Sequence, residues 1–410
     1  MGRVAGSGGG QLMRIVQLAN FHTPTSGGLR TVLDELGRRY VAMGHRVCRI
    51  VPGERDEVLD VHGVEEIRLR APLLPGGSGY RMIVDVTRVD ALLRHIRPEV
   101  VELSDKTTLV RSAARRRRVG ATVVTISHER IDSILDGRAP SWMPLRRVAD
   151  RRNAAVAAAS DAVVCCSSFA AHEYHRINVR HVHRVPLGVD LQAFRPGVAG
   201  RRERGDRVEL VVVGRLSPEK RPGHAVAVLC ELVERGVDAH LSVAGDGAQR
   251  AELERGAAGL PVTFLGHVAS RSTMAALIGA ADVCLAPCPV ETFGLAALEA
   301  LACGTPIVVP DAGGLRELVA GQADAGRAVV DGDAASWSSR AADAVLELVG
   351  QGRDARVAAR QHAERFSWDA VTLDMLSLMH RAGSRDGSLV EGSRAEETVR
   401  DGGVRLASVG

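Results

Sequence analysis

The chain has 410 residues, 45% hydrophobic and 25% charged; single cores rarely grow past about 250–300 residues, so two domains fit comfortably. That composition excludes a disordered, collagen-like or disulfide-scaffold protein as a description of the whole. Net charge is only +4, yet residues 1–190 hold 29 Lys and Arg against 20 Asp and Glu, while the remainder holds 24 against 29.

The opening MGRVAGSGGGQLM lacks the apolar stretch of about 7–15 residues found in a secretory signal, and residues 1–11 read as a flexible lead. MRIVQL at 13–18 is a first buried strand. A helix follows over 31–43, because Val32, Leu33, Leu36, Tyr40 and Met43 share one face. Gly44 closes it, and RVCRIV at 46–51 is the next strand. Further strands are expected at 100–103, 122–126 and 162–166. This alternation predicts a Rossmann-like parallel sheet covered on both faces. A second series starts at VELVVV, 208–213, with strands at 240–244, 262–265, 283–286 and 306–309 and helices over 223–235, 274–280 and 295–303. The Pro-, Gly- and Arg-rich stretch between the series reads as a linker. The expected fold is therefore α/β: two Rossmann-like domains, 12–190 and 206–366, whose parallel sheets face each other across a cleft, joined by a linker at 191–205. A helix over 367–383 should cross back toward the first domain, ahead of a loose tail at 384–410. No uncharged apolar run approaches the ~18 residues of a membrane-spanning helix. A soluble, cytoplasmic protein is expected.

Several chemistries can be set aside. The seven cysteines form no CxxC pair and read as reduced core thiols; Cys284 and Cys288 make a poor zinc pair. No GxxxxGK[ST] occurs, and the early Gly-x-Gly at Gly6 and Gly8 precedes the first strand instead of following it. Aromatics at 3% offer no stacking platform, so nucleic acid is not an expected partner.

The remaining signals sit where strands end. Gly27 and Gly28, in PTSGG, fall between the first strand and its helix, where backbone can approach a ligand and a helix start favours a phosphate. A tight turn explains them equally well. GRLSPEKRP at 214–222 places Arg215 and Lys220 at a sheet's carboxyl edge, a fork donor and a point cation suited to a diphosphate. The ordinary alternative is a solvated loop, but Lys220 is one of only two lysines in the chain, with Lys106. In ETFGLAALE, Glu291 and Glu299 lie eight residues apart, the second inside an apolar helix where a lone carboxylate is costly. Helical rise separates them by ~12 Å, beyond the about 5–9.5 Å of a glycosidase pair. They suit different parts of one ligand. The amides of Phe293, Gly294 and Leu295 open that helix and suit an anion. His128 ends a strand facing the same cleft; a lone histidine is usually structural, but this position favours a ligand contact. Arg115–Arg118, with Arg146, Arg147, Arg151 and Arg152, form either solvated faces or a patch for anionic lipid head groups.

Together these residues resemble the retaining glycosyltransferases of family 4, which have the GT-B fold. The likeness rests on Gly27-Gly28, VPLGVD at 185–190, GRLSPEK at 214–220, AGDG at 244–247 and the Glu291/Glu299 pair, and it spans about 13–375. VQLANFHTPTSGGLRTVLDELG, ISHERID and ETFGLAALEALACGTP are most similar to GDP-mannose-dependent mannosyltransferases acting on phosphatidylinositol mannosides. The resemblance implies a nucleotide sugar as co-substrate, GDP-mannose favoured, with no metal or other cofactor. It implies a glycolipid acceptor, met at the inner face of the plasma membrane through the basic first domain. Among the site residues it implies that Arg215 and Lys220 neutralise the donor diphosphate. Glu291 and the amides of Phe293, Gly294 and Leu295 would hold the transferred sugar, and Glu299 the ribose. Gly28 would let the first domain close, and His128 would contact the sugar. Asp246 and the 266–268 loop, including Val268, would border the base. Two other enzyme readings stand beside it: a UDP-sugar-dependent transferase with a soluble acceptor, and a nucleotide-sugar epimerase. A catalytically silent nucleotide-sugar binder is a third.

Overall fold

The computed structural model describes residues 12–23, 27–74, 79–135, 144–197 and 207–384. The lead at 1–11, most of the expected linker, the tail beyond 384 and Pro24, Thr25 and Ser26 of the early loop lie outside them.

Two sheets carry the molecule. The first contains β1 (Arg14–Ala19), β2 (Arg46–Gly53), β3 (Glu57–Val61), β4 (Val64–Arg70), β5 (Val100–Ser104), β6 (Thr122–Ser127), β7 (Ala162–Cys165) and β8 (Val182–Arg184). Its spatial order is β3-β4-β2-β1-β5-β6-β7-β8. The second contains β9 (Val208–Val213), β10 (Ala239–Ala244), β11 (Val262–Gly266), β12 (Val283–Leu285), β13 (Ile307–Pro310) and β14 (Gly326–Val329), in the order β11-β10-β9-β12-β13-β14. Every pair is parallel except β3 on β4. That antiparallel hairpin adds an edge to the first sheet. Its strands escaped the sequence reading because their side chains alternate charge with short apolar residues, and because the turn relies on His62 (φ 56°) and Gly63 (φ 82°), the doubly left-handed geometry that suits a two-residue hairpin.

Helices fill the crossovers. In the first half these are α1 (Gly28–Ala42), α2 (Val86–Ile96), α3 (Val110–Arg118), α4 (Ile131–Leu135), α5 (Leu145–Ala159) and α6 (Ser168–His175). The second half holds α7 (Pro222–Glu234), α8 (Arg250–Gly256), α9 (Arg271–Ala280), α10 (Leu295–Ala302), α11 (Leu315–Val319), α12 (Ala334–Gln351), α13 (Arg353–Ala363) and α14 (Trp368–Gly383). Because helices cover both faces, the central strands are buried almost throughout, and they read as apolar runs without alternation.

One apolar cluster runs from the first sheet through Leu187, Val189, Phe194 and Trp368 into α10 and α13, whereas the opposite face of the second sheet packs separately around Trp337. Residues 187–194 thus belong to a packed junction. Val189 bridges to Ser367, and at Gly188 an added Cβ would lie 2.5 Å from the Trp368 amide nitrogen, so only glycine fits. From that junction α14 returns to the first half, where Asp369 bonds Arg39 at 2.7 Å.

In both sheets the chain reverses direction beside a central strand, at β1 in the first and β9 in the second. Open α/β sheets bind ligands at the carboxyl ends of such strands. The loop after β1 leads to Gly27 and Gly28, and the loop after β9 carries Arg215 and Lys220.

Candidate active site

The second half contributes a rigid floor. Gly245 and Gly247 let the loops after β9 and β10 touch backbone to backbone: a Cβ on Gly245 would sit 1.8 Å from the Gly214 carbonyl oxygen, and one on Gly247 2.4 Å from that of Leu216. The contact is closed by Leu216 N donating to Asp246 O at 2.9 Å and Gln249 N to Leu216 O at 3.0 Å. The 289–294 loop is clamped in the same way against 313–315. A Cβ on Gly314 would come 2.1 Å from Thr292 O, and the Gly314 amide donates to Glu291 O at 2.7 Å.

On this floor Lys220 and Glu291, 71 residues apart, form an ion pair. Burial opposes charge on the Lys220 ammonium, but Glu291 outweighs it and raises the group above its ordinary range. Arg215 is exposed, its guanidinium 5.9 Å from the centre of the Tyr80 ring in the first half. Sequence reasoning separated Lys220 and Glu291 into different motifs and missed Tyr80. The pairing depends on how the β9 and β12 loops converge, which no spacing encodes.

His128 stands at the end of β6, its Nε2 2.9 Å from Ser104 Oγ at the end of β5. Burial, reinforced by the Lys106 charge, lowers its pKa to about 4, so the imidazole is neutral at physiological pH. Its carbonyl accepts the Thr292 hydroxyl at 2.6 Å, and the Thr292 carbonyl accepts Ser167 Oγ at 2.5 Å. Thr292, between Glu291 and Phe293, is therefore held to the first half from both ends. Glu317 of α11 adds a second bond of this kind, accepting the Ser168 and Phe169 amides at the start of α6 at 2.9 and 2.8 Å. Sequence reasoning missed Thr292, Ser104, Ser167 and Glu317. The one available signal was position: Ser104 ends β5, and Ser167 caps α6 just beyond β7.

Gly28 opens α1, which has no side-chain cap, and its hypothetical Cβ would meet Leu295 at an ordinary 3.5 Å; a Cβ on Gly27 would meet no described atom within 4 Å. No described protein atom demands glycine at either position. Gly294 is left-handed (φ 95°), and a Cβ there would lie 2.3 Å from Leu315, so this glycine is a structural necessity. Phe293 turns its ring into the core, edge-on to Phe366. Leu295 begins α10, and no side chain caps that helix either.

Glu299 lies one turn into α10, in a narrow cavity between the halves lined by Thr31, Glu35, Asp190, Arg271 and Leu295. Burial pushes its carboxyl up to about 7, with Arg271 opposing the shift and Asp190 adding to it. Arg271 reaches across to Glu35 at 3.0 Å and Asp190 at 3.4 Å. Glu35 is almost fully buried, and its hydrogen bonds to Arg38, Arg39 and Arg271 hold its pKa low against burial. Asp246 is exposed, accepts the Gly247 amide at 2.8 Å, and sits beside Gly266, which bridges to Gly245; the half-buried Val268 follows on the same edge. Cys284 and Cys288 are buried thiols pushed up to about 12 and 11, with the Cys288 thiol donating to Glu219 O at 3.1 Å.

This arrangement places oriented cations, a carboxylate, a neutral imidazole and two uncapped helix starts around one cleft. Such a set can stabilise charge growing on a departing anion while holding polar hydroxyls.

The chain matches the family models "Glycosyltransferase Family 4" over residues 26–193 and "Glycosyl transferases group 1" over 207–351. It is 43% identical over 374 residues to the GDP-mannose-dependent alpha-(1-6)-phosphatidylinositol dimannoside mannosyltransferase of Mycobacterium tuberculosis, covering 90% of this chain and 96% of the relative. It is 27% identical over 386 residues, covering 89% and 96%, to a GDP-mannose-dependent alpha-mannosyltransferase of Mycolicibacterium smegmatis. Among solved structures it superposes on sucrose-phosphate synthase from Thermosynechococcus elongatus with a TM-score of 0.74 at 21% identity, covering 90% of this chain and 98% of that one. The lipopolysaccharide glycosyltransferase WaaG superposes with a TM-score of 0.70 at 15% identity, covering 89% and 99%. The chain belongs to glycosyltransferase family 4, and its two facing α/β halves form a GT-B fold.

Proposed function

We propose that the protein transfers mannose from GDP-mannose, with retention at the anomeric carbon, to a hydroxyl of a phosphatidylinositol mannoside. The observation that carries this reading is 43% identity along nearly the whole of a relative named for that reaction. Arg215 and Lys220 take the donor diphosphate, and Glu291 takes hydroxyls of the transferred sugar, so their ion pair joins the leaving group's site to the sugar's. Glu299 takes the ribose, and Asp246 and Val268 flank the base. Gly27 and Gly28 make room for the diphosphate at the start of α1, consistent with the open space a Cβ on Gly27 would meet.

In the reaction the bond from the anomeric carbon to the β-phosphate oxygen breaks, and the acceptor hydroxyl bonds to that carbon on the same face. The hydroxyl proton passes to the departing phosphate oxygen. The barrier is mainly the charge that develops on the diphosphate, and fixed cations and amides lower it. Neutral His128 offers a hydrogen bond to the sugar without adding charge beside the oxocarbenium-like carbon. Closure of the two halves, as in the Thr292 and Glu317 contacts, keeps out water that would hydrolyse the donor.

For the acceptor, the exposed Arg146, Arg147, Arg151 and Arg152 on α5, together with Arg118, give the first half a basic face suited to anionic lipid. No helix among the described residues is long and apolar enough to cross a membrane. Thermal unfolding with a nucleotide panel tests the donor, because a ligand that binds only the folded state raises the melting temperature. GDP and GDP-mannose should raise it and UDP species should not. A UDP-selective rise overturns the donor assignment, and no rise with either overturns the site. Failure to sediment with anionic vesicles at moderate salt would overturn the membrane face.

A further inference from the structure

The loops after β9, β10 and β11 meet in a glycine junction, and one side chain lies across its outer end. Gly266 is left-handed (φ 68°), and a Cβ there would come within 2.9 Å of Arg250 Nη1, so the guanidinium lies against the bare backbone of the β11 edge. Two carboxylates hold it from behind: Nε donates to Glu254 Oε1 at 2.8 Å and Nη1 to Asp246 Oδ2 at 3.2 Å. Asp246 is itself held by the Gly247 amide. The fork is thus oriented without being covered. A third of the side chain (33%) is exposed, and Nη2 bonds to no described residue.

We infer that Arg250 reads the edge of the donor base and selects a 6-oxopurine. This rests on the nucleotide-sugar reading of the cleft, which puts the diphosphate at the β9 loop and the base over the β10 and β11 ends. The outer edge of a planar guanidinium donates two parallel hydrogen bonds, and guanine offers two adjacent acceptors, N7 and O6, at matching separation. Adenine presents an amino donor beside N7, which the fork repels. Uracil presents a single carbonyl on that edge. Arg250 is therefore a specificity residue, remote from the reacting atoms.

Calorimetric titration of the full chain with GDP, 7-deaza-GDP and UDP tests this. Replacing N7 by carbon should weaken binding to the natural protein about tenfold, the loss of half a bidentate pair. Arg250→Ala should bind GDP and 7-deaza-GDP equally and leave UDP affinity unchanged. Arg250→Lys, a point cation, should retain part of the GDP affinity and lose most of the discrimination. Equal affinity of the natural protein for GDP and 7-deaza-GDP overturns the inference while leaving the donor reading intact, as does discrimination that survives in Arg250→Ala. A natural protein that prefers UDP overturns both.

Discussion

The two sheets solve one packing problem with different chemistry. Beneath α1, four buried side chains cross the first sheet as a polar ladder. Gln17 donates to Glu102 at 2.8 Å, Arg49 donates to Gln17 at 3.0 Å and to Glu66 at 3.1 Å, and Tyr40 donates to Glu102 at 2.9 Å. These residues face one another because β5, β1, β2 and β4 are neighbours in matching register. Among the described residues, none of the buried polar or charged side chains lies on a strand of the second sheet. There, apolar packing fills the interior, and glycine contacts at the strand ends set the geometry. A polar ladder specifies strand order, since each group needs its particular neighbour; glycine contacts specify loop position, since no other residue fits.

The sharpest way to break this contrast is Arg49→Ala. It takes the Arg49 donor from Glu66 Oε2 and Gln17 Oε1, leaving Glu66 its bond from Arg68 at 2.8 Å and Gln17 its bond to Glu102, and should cost about 1–3 kcal/mol, the penalty for buried acceptors left unsatisfied. Chemical denaturation would read it, and a loss below about 1 kcal/mol, the worth of an ordinary hydrogen bond, would mean that the ladder is ornamental. The corresponding test of the second half leaves the fold intact and removes chemistry. Lys220→Ala should lower turnover by about 10²–10³-fold, the scale of losing one preorganised donor to a developing anion, with the protein still folded and only a small fall in melting temperature from the lost Glu291 pair.

Glu299→Gln separates site from scaffold by pH. The carboxyl is raised to about 7 from the ordinary 4.5, so the folded protein binds more protons than the unfolded chain between those values. Stability therefore falls as pH rises from 4.5 to 7, and the whole cost is present above 7. The glutamine variant should melt several degrees higher than the natural protein at pH 8 and at the same temperature at pH 4. An equal difference at both values would contradict the assignment. The smallest expected effect belongs to the contact between the halves. Glu317→Ala uncaps the α6 amides and should cost about 1 kcal/mol, visible as a lower midpoint in urea.

The elements that came directly from the sequence were those with strong periodicity. β1, β9 and α1 are long apolar or amphipathic runs whose burial is decided locally. The hairpin β3–β4 was missed, since Glu57 and Glu66 on one face and Asp60 and Glu65 on the other break the apolar pattern of a strand. Arg49 and Glu66 also look like surface residues until the ladder is assembled. At the site, Arg215, Lys220, Glu291, Glu299 and His128 could be named because each stands at a strand's end or in an unexpected setting. Thr292, Ser104 and Glu317 carry no such mark, being ordinary polar residues whose partners lie 24 to 164 residues away.

What the amino-acid sequence determined by itself is the alternation of strand and helix, the two-series architecture and the residue types at the carboxyl edges. These follow from apolar periodicity and local backbone preferences, which act over a few residues. The tertiary structure alone decided that Lys220 meets Glu291, that Glu299 lies under Arg271 and holds a proton near neutrality, and that Thr292 ties the halves together. Charge pairing, desolvation and hydrogen bonding act through space, and their strength depends on distances that only the folded chain sets.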